Sequence, residues 1–190
     1  KDTGIGFKPN EAIQLLNELG YNEKHPLEFE AFIKSQQSTF EIARFIQGEF
    51  KKYGVNMTLK PMEWSALKDA INKGEAKVFF MNWYGDYPDG ENFLTPLFHS
   101  KNWGAGGNRA HFKDEEIDRL LENAVKITDE KARSEAYDLI NRKIVDQAPW
   151  IYLWHCSESY VSGPRVENID FYPRFFCDKG LTISLKKDQQ

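Results

Sequence analysis

Apolar positions along the chain switch repeatedly between a spacing of three to four residues and strict alternation, and each switch predicts a change of element. Asn10 can cap a first helix with Ala12, Leu15, Leu16 and Leu19 on one face and Gly20 at its end. Leu27, Phe29, Ala31 and Ile33 then alternate with mostly polar neighbours, as in a strand with one covered face. Ser38 followed by Glu41 reads as a capping box for a helix whose stripe is Ile42, Phe45, Ile46, Phe50 and Tyr53, closed at Gly54. Val55, Met57 and Leu59 predict a second strand up to Pro61, and a short helix around Ser65–Lys73 stops at Gly74. Within Ala76–Tyr84 the run Val78-Phe79-Phe80-Met81 predicts a central strand covered on both faces. The order β-α-β-α-β predicts parallel strands joined by right-handed crossovers.

Two more helices follow the Gly/Pro/Asn-rich segments Gly85–Asn92 and Asn102–Asn108. Asp114 caps one, with Ile117, Leu120, Leu121, Ala124 and Ile127 on one face. Thr128 caps a longer one, with Tyr137, Ile140, Ile144 and Ala148 inward. Pro149 ends it, and Trp150–Trp154 reads as a returning strand. Beyond Ser162 the pattern loosens around Pro164 and Pro173, with a strand-like Leu181–Leu185.

Composition narrows the partners more than the fold. A net charge of −4 and a pI near 5.7 argue against a nucleic-acid partner, which calls for a basic patch. No apolar run approaches the roughly 20 residues of a bilayer span. Cys156 and Cys177 have no metal-ligand spacing; a disulfide and two free thiols both remain open. The chain opens Lys1-Asp2-Thr3-Gly4 without an initiator Met, so a mature form or an excised piece is expected, and compartment stays undetermined on these grounds.

In an open α/β sheet, ligands bind outside the carboxyl ends of the parallel strands. Three loops leave that edge: Lys34–Gln37, Met62–Ser65, and the long loop that begins at Asn82. The third reads Asn82-Trp83-Tyr84-Gly85-Asp86-Tyr87-Pro88-Asp89-Gly90-Glu91-Asn92-Phe93. Its aromatics supply rigid contact area, and its Gly and Pro indicate a shaped turn. Asp86, just beyond the apolar strand, is suited either to a bound ammonium group or to capping a turn. Asp89 and Glu91 stand where a helix over Asn92–His99 begins, and acids there suit its dipole. His25, His99, His111 and His155 lack metal-ligand spacing, no G-x-S-x-G motif occurs, and Gly104–Gly107 is too isolated for a phosphate loop. We therefore expect a binding module, with no catalytic residue, no metal and no cofactor.

The same loop carries a family signal. Trp83 through Leu94, followed by Pro96-Leu97-Phe98-His99-Ser100, resembles the W-x-(G/A)-D-Y-P-D-P-x-N-F-L-x-x-L-F-x-S stretch of the oligopeptide/dipeptide-binding solute-binding proteins of ABC importers, family 5. Further pieces fall in the family's order. These are Pro9-Asn10-Glu11-Ala12 with Leu15-Leu16 and Leu19-Gly20-Tyr21; Glu63-Trp64; Asn108 ahead of His111-Phe112; the helix Asp114–Ile127; and Ala148-Pro149-Trp150-Ile151-Tyr152-Leu153. The match runs over residues 9–154 and is loose beyond.

The resemblance implies a periplasmic-binding-protein-like (class II) α/β lobe with a mainly parallel sheet flanked by helices. Residues 1–154 would form this incomplete lobe, and residues 155–190 an extension returning toward a missing N-terminal lobe. Asp86 would pair with a peptide's α-ammonium group, with Trp83, Tyr84, Tyr87 and Trp64 as pocket walls and Asn82 in the ligand-binding set. Dipeptide-binding relatives place a carboxylate-pairing Arg before the second helix. Here Lys34-Ser35-Gln36-Gln37-Ser38 has none, and Lys34 could substitute only as a point charge. The implied partners are a peptide or other small solute and an ABC permease. The implied location is periplasmic or extracellular, with a lipid anchor as one form. Family members for oligosaccharides, nickel chelates or haem, and an interaction module without a small ligand, are the alternatives.

Overall fold

The computed structural model describes residues 6–155, 157, 159, 161–169 and 182–186. In chain order the elements are α1 (Pro9–Glu18), β1 (Leu27–Lys34), α2 (Gln37–Lys51), β2 (Val55–Met62), α3 (Trp64–Asn72), β3 (Val78–Phe79) and α4 (Glu91–Phe98). Two 3-10 turns (Ser100–Asn102 and Gly104–Gly106) precede α5 (Glu115–Ala124) and α6 (Glu130–Asp146). Short strands β4 (Val166–Glu167) and β5 (Ser184–Leu185) pair antiparallel to each other. The strand-like Leu181 and both cysteines, Cys156 and Cys177, lie outside the described residues.

The three-stranded sheet is parallel, in the order β2-β1-β3. Leu27 of β1 pairs with Val55 of β2, and the register runs unbroken to Lys34 and Met62. On its other edge β1 takes Val78 and Phe79 against Ala31 and Phe32. Alternation along β1 assigns its faces. Phe29, Ala31 and Ile33 turn toward α2, where Phe29 meets Phe50 edge-on at 6.3 Å. Phe32 turns the other way, into a cluster with Leu67, Ala70 and Ile71 of α3 and with Ala76 and Phe79. Helices thus flank both faces. Beyond the reach of α3 the second face is polar, with Lys60 Nζ 2.9 Å from Glu30 and Asn56 donating to Glu28 at 3.2 Å.

A second core holds the C-terminal half together. Leu94, Leu97 and Phe98 of α4, Ile117, Leu121 and Ala124 of α5, and Tyr137, Ile140 and Ile144 of α6 interlock with little exposure. Trp83, Phe112 and Trp150 pack against the rim of this cluster.

Several sequence expectations need correction. The apolar run at Val78–Met81 is an edge strand with only two ladder residues, not the central one. The middle position belongs to β1, with β2 on one edge and β3 on the other. Trp150–Trp154 forms no strand, since no strand edge among the described residues lies beside it; Ile151 stays 72% exposed. Helix α1 starts at Pro9 rather than after an Asn10 cap, since a proline without N–H suits the first helical position. Gln36, not Ser38, precedes α2, and Glu41 instead accepts from Gln37 Nε2 at 2.7 Å. Asp129, one residue past Thr128, caps α6 by accepting from the Ala132 amide, a charged acceptor at the positive end of the dipole. Asp114 does cap α5, accepting from Glu116 and Ile117. Helix α1 keeps its apolar stripe without cover among the described residues: Leu15 is 54% and Leu19 73% exposed.

Ile140, 1% exposed in the three-helix core, tests this packing. Ile140→Ala is expected to cost about 2–5 kcal/mol in chemical denaturation. Leu139→Ala, on the exposed side of the same helix, should cost well under half as much.

Candidate ligand-binding site

The strand order puts a topological switch at β1. Helix α2 leads to one neighbour over one face, and α3 to the other neighbour over the opposite face. The loops after β1 and β3 therefore leave the carboxyl edge on either side of the switch, the place where open α/β sheets bind ligands.

The loop after β3 is held by a short set of bonds centred on Asn92, which is 6% exposed. Pro96 lies inside α4 and has no N–H to offer the Asn92 carbonyl one turn earlier. Trp83 Nε1 donates to that carbonyl at 2.9 Å. The Asn92 side-chain oxygen accepts from the Asp86 amide at 2.6 Å. Gly85 passes so close to Phe93 that a Cβ would lie 2.5 Å from its ring, which explains why glycine stands there. The Tyr87 hydroxyl donates to Glu91, and that bond raises the tyrosine's pKa above its ordinary value.

Asp86 is thereby fixed through its backbone while its carboxylate stays exposed. No hydrogen bond or ion pair among the described residues engages that carboxylate. Tyr84 and Tyr87 are 67% and 46% exposed, and Asn82 is exposed beside them. Trp83 is turned inward instead, half-buried against the helical core with its N–H already used.

Lys34 and Trp64 form a second group at the ends of β1 and β2. Lys34 Nζ lies 5.8 Å from the Trp64 ring centroid, and Lys68, one turn along α3, lies 5.3 Å from it. Lys68 was not among the sequence candidates; its i,i+4 spacing from Trp64 was the available signal. Among the described residues no hydrogen bond or ring contact joins this group to Asp86. Two cavities, about 390 Å3 beside Thr95, His99 and Leu121 and about 490 Å3 beside Phe45, Ile46 and Trp154, lie apart from both groups.

Asp89 has a role that the sequence did not disclose. Its Oδ1 accepts from the Glu91 amide at 2.7 Å, as expected of an acid at a helix start. It also receives Arg133 from α6, Nε to Oδ2 at 2.7 Å and Nη2 to Oδ1 at 3.0 Å. The guanidinium holds the Asp89 carboxyl below the ordinary carboxylate range, while Asp89 raises Arg133. A cation one turn into a helix opposes the dipole, and that was the one sequence sign that Arg133 has a distant partner.

His99 and Asn108 serve local structure. His99, 4% exposed, places Nε2 3.2 Å from Glu122, and its Nδ1 accepts from the Lys101 amide. Asn108, fully buried, donates to the His99 and Phe112 carbonyls and accepts from the Phe112 amide. Among the described residues no group of three His, Cys, Asp or Glu is placed to hold a metal ion.

Residues 1–105 match the family described as bacterial extracellular solute-binding proteins, family 5, middle part. The chain is 32% identical over 164 residues to heme-binding protein A of Haemophilus influenzae, covering 85% of this chain and 30% of that protein. It is 27% identical to the dipeptide-binding protein of Pseudoalteromonas sp. SM9913 solved with Met-Leu, at a TM-score of 0.70 over 78% of this chain and 30% of that one. HbpA2 of Haemophilus parasuis, 24% identical, shares the fold at a TM-score of 0.77 over 95% of this chain and 36% of its own. The chain thus spans about a third of the length of such relatives.

The Asp89–Arg133 pair sets an acid dependence. In the unfolded chain Asp89 titrates near the ordinary value of about 4, and in the fold it titrates lower. Its contribution to stability is therefore complete above pH about 4 and is lost as pH falls through the lower folded value. In acid titrations followed by tryptophan fluorescence, Asp89→Asn should be less stable than the parent at pH 7, and the gap should narrow toward pH 2.

Proposed function

We infer, for a chain that belongs to the bacterial extracellular solute-binding proteins of family 5, that it supplies most of one lobe of the substrate-binding component of an ABC importer. The ligand is a peptide or a related small solute, captured in a cleft between this lobe and one contributed by chain outside these residues. Residues 1–154 make the lobe, and residues 155–190 return toward its partner. The protein acts outside the cytoplasmic membrane, in the periplasm or at the cell surface, and hands its cargo to a membrane permease. It binds and does not catalyse.

One observation carries this reading. Asp86 presents an exposed carboxylate, without a partner among the described residues, from a loop whose backbone is fixed by Asn92. An anion held in place but not neutralised suits a ligand ammonium group. Tyr84 and Tyr87 flank it as amphipathic walls. Lys34 and Trp64 at the neighbouring strand ends complete the ligand-binding set, with Asn82 and Trp83 at the base of the loop. The uncovered stripe of α1 and the exposed Ile151–Trp154 segment support the second lobe, since each presents apolar surface that a partner would cover.

A non-peptide cargo is the second reading. It is favoured by the 32% identity to a protein named for haem binding, and by the absence of Arg from residues 34–38. Asp86 separates the two. In the full-length protein, Asp86→Ala should weaken binding of free-amine tripeptides about 10- to 100-fold by calorimetry, the order of loss for removing one member of a charge pair. It should leave N-acetylated tripeptides and haem unaffected. Equal affinity of parent and variant for free-amine tripeptides would sink the peptide reading.

A further inference from the structure

Arg133 makes more contacts than an ion pair requires. Its Nε and Nη2 form a two-bond fork onto Asp89, at 2.7 and 3.0 Å. Its Nη1 donates to the carbonyls of Ala124 and Val125 at 3.0 Å each, and reaches that of Ile127 at 3.4 Å. These carbonyls belong to the end of α5, where helical donors run out. The guanidinium carbon lies 5.1 Å from the Tyr137 ring centroid. The two side chains are only 20% and 28% exposed, so the pair is sheltered from much of the solvent screening that weakens surface bridges.

One side chain therefore ties three pieces together: the end of α5, the start of α6, and the turn that leads into α4. The turn is pinned on its other side as well. Gly90, next to Asp89, lies against Tyr137 so closely that a Cβ would come within 2.8 Å of the ring. Asp86 sits three residues before Asp89 in the same short loop. Its amide is held by Asn92, which follows Asp89 by the same interval. Asp86 is thus held directly at its amide by Asn92, and the turn that follows it is held at the Asp89–Arg133 fork.

We propose that Arg133 is a positioning residue for ligand recognition: by clamping Asp89 it fixes where the Asp86 carboxylate stands, without touching the ligand itself. This rests on the reading of Asp86 as the partner of a ligand ammonium group. The geometry requires the planar fork and the third donor together. Lysine offers a single point charge and cannot span Asp89 and the α5 carbonyls at once.

The test uses the full-length protein with Arg133→Ala, Arg133→Lys, Asp86→Ala and the Asp86→Ala/Arg133→Ala double variant. Two measurements are made: hydrogen exchange by segment, and calorimetric affinity for an equimolar tripeptide mixture with free or acetylated amino termini. Both Arg133 variants should speed exchange over residues 85–92 while residues 140–144 stay protected. They should lower affinity for the free-amine mixture about tenfold, within the range of coupling energies between linked residues, and leave the acetylated mixture unchanged. The double variant should bind no more weakly than Asp86→Ala alone. Additive losses, unchanged exchange in the loop, or faster loop exchange with unchanged affinity would each overturn the proposal. If Asp86→Ala itself leaves free-amine binding intact, the Asp86 reading fails first and takes this proposal with it. The exchange data would still show whether the clamp orders the loop.

Discussion

A proline in the second turn of a helix leaves one carbonyl without its donor, and much of the candidate site is organised around that vacancy. The carbonyl is that of Asn92, and Trp83 fills it from the end of the strand segment. That bond ties the segment leaving the sheet to the three-helix core, because Trp83 lies four residues past β3 and Asn92 is in the first turn of the core's first helix. Once the two ends of the loop are joined, its path is short. The Asn92 side chain then meets the Asp86 amide, and a buried asparagine satisfies one backbone group while its own backbone receives another. The loop is shaped by hydrogen-bond accounting more than by apolar burial.

The sheet contributes direction. With both edges of β1 occupied, strand ends and their loops converge on one side, and the two flanking helices approach from opposite faces. The charges that result are sorted along the edge. Asp86 lacks a cation among the described residues, and Lys34 and Lys68 gather at one indole ring without a described carboxylate partner. Elsewhere some charges are paired, as at Lys60–Glu30, Lys73–Asp69 and Lys143–Glu116.

Much of this was legible in the sequence, and the exceptions have physical causes. Stripes such as Ile117-Leu121-Ala124 and Tyr137-Ile140-Ile144 predicted both long helices, since burial on one face imposes the helical period directly. The alternation of β1 and β2 was equally plain. Position within the sheet was not, because an apolar run records how much a strand is covered and not which strand lies beside it. The caps at Asn10, Ser38 and Thr128 were misplaced by one or two residues, a scale on which proline, a neighbouring acid and backbone geometry compete. Asp89 was legible only as a helix-start acid. Its bond to Arg133 joins residues 44 apart, and no periodicity carries information over that separation.

Fixing the loop before any ligand arrives has a thermodynamic consequence. Each residue that must be ordered on binding subtracts from affinity by an amount comparable to a hydrogen bond. Residues 83–92 are tied down by Trp83, Asn92, Gly85, Gly90 and the Asp89 carboxylate during folding, so that cost is met once, by the fold. On the proposed reading, a small cargo with little surface of its own to bury would then be held by a few polar contacts, and its residence time would reflect those contacts and not the refolding of a loop.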